Sequence, residues 1–117
     1  MNEDEEQARK WAEQRASDRV RIGSPASLKV GAEEFSGFVE VINLGGMYVA
    51  TPRAPELGDY VDLVFSLPND PRSFRVRGNV VFVEPGQEER QRSGFGARFE
   101  RPPVALLDAI RGLSDGH

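Results

Sequence analysis

The residues best equipped for chemistry in this sequence are arginines. Arg9, Lys10, Arg15, Arg19 and Arg21 form a basic stretch diluted only by Glu13 and Asp18. It follows an acidic tip of Glu3, Asp4, Glu5 and Glu6. A guanidinium is always charged and offers a planar fork of donors that matches a phosphate. The chain as a whole is acidic, with a formal net charge of -4 over 117 residues. A local cationic segment on an acidic body suits a small anion better than a long polyanion, whose affinity needs many neutralised phosphates. The acidic total and the absence of an aromatic-basic stripe oppose a nucleic-acid-binding barrel.

Catalytic constellations are harder to build. The single histidine is His117, the last residue, and there is no cysteine. No Ser-His pair, thiolate metal site or Cys/His cluster follows from such a composition. Gly45-Gly46 lacks the Gly-Lys-Ser/Thr ending of a phosphate-binding Walker loop. Carboxylates are plentiful, but none is placed as a catalytic pair. The expectation is a binding or regulatory module, not an enzyme, with no metal and no cofactor.

The elements that must position these arginines fall into two kinds. Residues 2–16 are rich in Glu, Gln, Ala, Arg and Lys, all good helix formers, with Trp11 as the one large apolar anchor. One anchor is weak support for a short helix, which predicts a partly helical, mobile arm. From Ala26 the pattern turns to short strands. Residues 26–30 carry Leu28 and Val30 on one face, and 35–43 are rich in aromatic and β-branched residues, with 31–34 as the turn between them. Met47 to Thr51 follows the Gly45-Gly46 break, and Pro52 and Pro55 mark a loop. Met47 and Tyr48 should divide between core and surface, because strand neighbours alternate. Tyr60 to Leu67 alternates, with Val61, Leu63, Phe65 and Leu67 on one face.

After the turn signal Pro68-Asn69-Asp70-Pro71, the stretch 73–84 places Phe74, Val76, Val80 and Phe82 at one parity, inward by default. Gly78 in its middle suggests a bulge or a tight bend. The polar loop 86–92 leads to 93–100, with Phe95, Ala97 and Phe99 on one face. Pro102 and Pro103 suit a helix start, and Leu106, Ile110 and Leu113 lie at helical spacing.

These signals predict an all-β fold: a small antiparallel barrel of six to seven strands with a C-terminal capping helix and the N-terminal arm. The expected divisions are an arm over 1–22, a barrel with its helix over 23–114 and a tail over 115–117. Hydrophobic residues at 38% and charged residues at 29% are enough for one modest core. No run reaches the roughly 20 apolar residues of a membrane span, and the acidic N-terminus has no signal-peptide core, so the expected location is the cytoplasm.

Two segments in order carry a family likeness. One is Arg15-Ala16-Ser17-Asp18-Arg19, an R-x-x-x-R, followed by Val20-Arg21-Ile22. The other is Val41-Ile42-Asn43-Leu44-Gly45-Gly46-Met47-Tyr48-Val49. With Leu57-Gly58-Asp59, Arg77-Gly78-Asn79-Val80 and Gly94-Phe95-Gly96-Ala97-Arg98-Phe99, they make the chain resemble the PilZ domain from about Arg15 to Leu113. PilZ domains are receptors for cyclic di-GMP, with motifs RxxxR and D/N-x-S-x-x-G.

The resemblance implies that Arg15 and Arg19, with Arg21 assisting, grip the phosphates and guanines of this dianion, and that Asn43, Gly45 and Gly46 form the second contact. It implies an output on a protein partner in motility, pili, biofilm or polysaccharide control, through ordering of the arm on its ligand. The second motif departs from the family pattern. Aligning Gly46 with the last motif glycine puts Val41 at the Asp/Asn position and Asn43 at the serine. Valine makes no hydrogen bond, so one ligand contact is lost. The alternative reading is a degenerate PilZ domain that binds no nucleotide and works as a protein-protein adaptor.

Overall fold

The computed structural model describes residues 20–84 and 93–115. Its elements are β1 (Val20–Val30), β2 (Glu33–Ile42), β3 (Gly46–Thr51), β4 (Tyr60–Ser66), β5 (Ser73–Glu84), β6 (Ser93–Glu100) and α1 (Val104–Asp115). The six strands close into an antiparallel barrel in the order β1-β2-β3-β6-β5-β4, with β4 returning to β1. Closure pairs Ala26 with Phe65 and Lys29 with Asp62 and so leaves no free sheet edge. The expected all-β barrel with a C-terminal helix is what forms, with six strands among the described residues.

Alternation explains why these segments pair as they do. In β4, Val61, Leu63 and Phe65 are buried while Tyr60, Asp62, Val64 and Ser66 face outward to varying degrees. Leu28, Val39, Met47, Val49, Val76, Phe95 and Ala97 complete the inward layer. Each large apolar side chain buried there contributes on the order of 1.5–3 kcal/mol. Helix α1 plugs the barrel with Leu106 and Ile110, which are 0% and 1% exposed. The Pro103 carbonyl accepts the N–H of Leu106 and of Leu107, so this proline starts the helix without losing a donor it would need.

Three register shifts interrupt the ladders: between Arg21 and Ser24 in β1, between Val39 and Val41 in β2, and between Val80 and Phe82 in β5. They account for two differences from the sequence reading. The first strand starts at Val20 and not at Ala26, because the irregularity at Gly23, with φ +58°, breaks the alternation that links Ile22 to Ser24. The described part of the stretch 1–22, Val20 to Ile22, is therefore strand, and the rest of the expected arm lies outside the described residues.

The second difference is Phe82. The inserted Val81 moves Phe82 off the inner face, so it pairs with Gly96 on the outside while Val83 returns inward opposite Phe95. A bulge re-aims every side chain beyond it. Gly78, where the sequence suggested a bulge or a tight bend, carries no bulge and stays in regular register with Val61 and Phe99. Its lack of a side chain allows close approach, since a Cβ there would lie 2.9 Å from Ala97 Cβ.

Candidate functional site

The glycine bend between β2 and β3 is built around Asn43. Its Oδ1 accepts the backbone N–H of Gly45 at 2.8 Å and of Gly46 at 2.9 Å. The Asn43 N–H donates to the Gly46 carbonyl, and the Phe99 N–H donates to the Gly45 carbonyl, each at 2.9 Å. A short polar side chain that bonds its own backbone two and three residues on is a typical turn device. Asn43 is only 5% exposed. Its acceptor oxygen is thus committed to the bend. The left-handed glycines of the described chain are Gly23, Gly31 and Gly58, so neither Gly45 nor Gly46 supplies positive φ.

The start of β1 runs beside this bend. Val20 pairs with Ile42, and Arg21 pairs with Val41. Paired residues share a face of the sheet. Arg21 is exposed on the outer face, and Val20 and Ile22 pack toward the core. Arg15 and Arg19 lie outside the described residues.

Following the ladder outward from Arg21 gives a continuous row across five strands. Arg21 pairs with Val41, Val41 with Tyr48, Tyr48 with Gly96 and Gly96 with Phe82. The rings of Tyr48 and Phe82 lie near-parallel, with centroids 6.0 Å apart and planes 23° apart. They rest against β6 where it carries glycine. A Cβ at Gly96 would collide with the Phe82 ring, and one at Gly94 with the Tyr48 phenol. The Tyr48 hydroxyl donates to Glu84 Oε2 at 2.8 Å. Beside the bend, Arg98 pairs with Gly46 on the next outward row and is exposed. Val41 is outside the inner cluster yet only 7% exposed.

Sequence reasoning named Arg21, Asn43, Gly45 and Gly46, and the ladder brings these four to one end of the barrel. It missed Phe82, Glu84 and Arg98. The glycine pair Gly94 and Gly96 was the available signal, since two glycines on the outward parity of one strand ask what lies over them.

A separate groove of about 790 Å³ lies on the outer face of β1 and β4, among Lys29, Glu34, Ser36, Asp62 and Arg75. It borders a cross-strand charge ladder, Glu34-Lys29-Asp62-Arg77-Glu100, whose signs alternate at every step. Arg77 Nε donates to Asp62 Oδ1 at 3.1 Å. Opposite charges directly across a sheet favour this pairing over a slipped one. Among the described residues no group of three or more His, Cys, Asp or Glu could hold a metal, and no helix is long and apolar enough to cross a membrane.

The PilZ domain family model matches residues 13–116, so the chain belongs to the PilZ family. No curated protein matches the sequence. Solved structures share the fold. The Bacillus subtilis inhibitor of motility, MotI/DgrA, is 14% identical with a TM-score of 0.68 over 80% of this chain and 46% of its own. The PilZ domain of CeSA from a cellulose-synthesizing bacterium is 14% identical with a TM-score of 0.58, covering 86% of this chain and 97% of its own. The Borreliella burgdorferi PlzA protein in complex with c-di-GMP is 10% identical with a TM-score of 0.64, covering 93% of this chain and 56% of its own. This chain therefore spans about half the length of MotI/DgrA and of PlzA.

Proposed function

We propose that the chain is a non-catalytic receptor for cyclic di-GMP that acts in the cytoplasm on a protein partner in motility or surface polysaccharide control. The observation that carries this reading is the β1-β2 register. It holds Val20 and Arg21 opposite Ile42 and Val41, one step from Asn43, which sets the strand end that follows the R-x-x-x-R motif beside the glycine bend. Arg15, Arg19 and Arg21 would meet the phosphates and guanines there, with Asn43, Gly45 and Gly46 shaping the floor. A guanidinium pairs with phosphate through two parallel donors and also lies flat against a base. Family membership and two structural neighbours, an inhibitor of motility and a protein in complex with c-di-GMP, support the same ligand and output.

A second reading has its own observation. Val41 occupies the family's Asp/Asn position, and the Asn43 acceptor is used by the bend. Both favour a degenerate domain that serves as a protein-protein adaptor. Calorimetric titration of cyclic di-GMP into the wild type, Arg15→Ala and Arg19→Ala separates the two. Saturable binding that each substitution weakens about tenfold or more is the receptor outcome. Absence of heat up to high micromolar ligand is the adaptor outcome and ends the receptor reading.

A further inference from the structure

We propose that the groove over β1 and β4 binds an extended acidic segment of a partner protein, with Arg75 as the anchor. This rests on one part of the reading above, an output on a protein partner, which the receptor and the adaptor share. Two concavities join there. One of about 790 Å³ and one of about 510 Å³ are both lined by Ser27, Ser36 and Val64. Their floor is made of small side chains, since Ser27 pairs with Ser36 on one side and with Val64 on the other. From Ser24 to Lys29 it advances five residues along β1, about 17 Å, which is the span of about five residues of extended peptide.

Ser24, Ser66 and Ser73 line the second concavity as well. Among the described residues none of these five serine hydroxyls makes a hydrogen bond. Residues 26–29 of β1 are paired on both sides, so a segment laid over them finds no strand edge. A hydroxyl both donates and accepts, so a row of them can serve the N–H and C=O groups of an extended peptide instead. Charge then selects the segment. Glu34 pairs with Lys29, Lys29 with Asp62 and Asp62 with Arg77, a row that balances to zero. Arg75 is the surplus. It pairs with Val64 and lies beyond the last β5–β6 pair, Arg77 with Glu100. It is exposed and makes no ion pair among the described residues. A carboxylate matches its guanidinium fork. A long polyanion fits less well, because Glu34 and Asp62 stand in its path.

The test is selection of a random peptide library, displayed on phage, against the immobilised full chain, followed by titration of synthetic copies of the enriched peptides. These should share an Asp or Glu and bind Arg75→Glu and Ser27→Trp about tenfold or more weakly, the first through lost charge and the second through a filled groove. Replacing the peptide's acid by lysine should restore binding to Arg75→Glu. No enrichment, enriched peptides without an acid, or affinities indifferent to both substitutions overturn the groove and leave the receptor reading to its own titration. Should Ser27→Trp not fold, Arg75→Glu and its rescue by the lysine peptide decide. Binding of the wild type to phosphatidylserine vesicles that Arg75→Glu abolishes would assign the face to a membrane surface and overturn the peptide. Cyclic di-GMP titration of the same variants reads the glycine bend separately: unchanged affinity is expected, and joint loss of peptide and nucleotide would mean a damaged fold and refute a local groove.

Discussion

Asn43 shows how one side chain serves the fold where the family pattern carries a serine. Its single oxygen satisfies two backbone donors at the bend. Removing it in Asn43→Ala strands the buried Gly46 N–H and the partly buried Gly45 N–H and should cost about 1–3 kcal/mol, read from urea unfolding. Full retention of stability would mean that water replaces the side chain at no loss. Val41 presents the opposite case. Here the change is toward the family pattern: Val41→Asn should tighten cyclic di-GMP binding several-fold to about tenfold, the worth of one regained hydrogen bond. Weaker binding in a folded Val41→Asn protein would show that this position does not face the ligand.

At the scale of elements, glycines and bulges do different jobs. Gly37 lets β2 pass close to β3, since a Cβ there would lie 2.7 Å from the Ala50 carbonyl oxygen and 3.1 Å from Leu28 Cδ1. Backbone cannot easily give way, so Gly37→Ala should destabilise by about 1–3 kcal/mol. Gly112 sits in α1 with nothing within 4 Å of a built Cβ. There alanine should stabilise by about 0.5–1 kcal/mol, because the helix no longer holds a glycine. Thermal unfolding of the two variants should therefore move in opposite directions; a common direction would contradict this account of the sheet contact. The bulges act on direction instead of space. Those in β2 and β5 sit beside Val41 and Phe82, and each turns an apolar residue to the outside.

At the scale of the whole molecule, Asp70 is a local source of acid stability among the described residues. Hydrogen bonds from the Arg72 side chain and backbone hold the Asp70 carboxyl at about 2, below its ordinary 3.8. A depressed folded value means the contribution is complete above roughly pH 4 and is lost as pH falls toward 2. The pair is solvated, so the effect is small and screened by salt. Asp70→Asn should flatten the fall of the urea midpoint between pH 4 and pH 2 relative to wild type. Superimposable pH profiles would show that the contact also persists in the unfolded chain or does not form in solution.

Much of the architecture was legible in the amino-acid order. Alternation in Tyr60–Ser66 and the inward parity of Phe95, Ala97 and Phe99 announced strands, and Leu106 and Ile110 announced the capping helix, because these patterns are local and repeat within a few residues. The family motifs likewise pointed to Arg21 and the Asn43–Gly46 bend. Tertiary structure alone decided that Phe82 leaves the core, that β1 begins at Val20, and that Arg21, Tyr48, Phe82 and Glu84 share one face. The physical reason is that a bulge is one extra residue on one side of a ladder, defined only against a partner strand far away in the chain. A sequence read along its own length contains the alternation but not the partner that interrupts it.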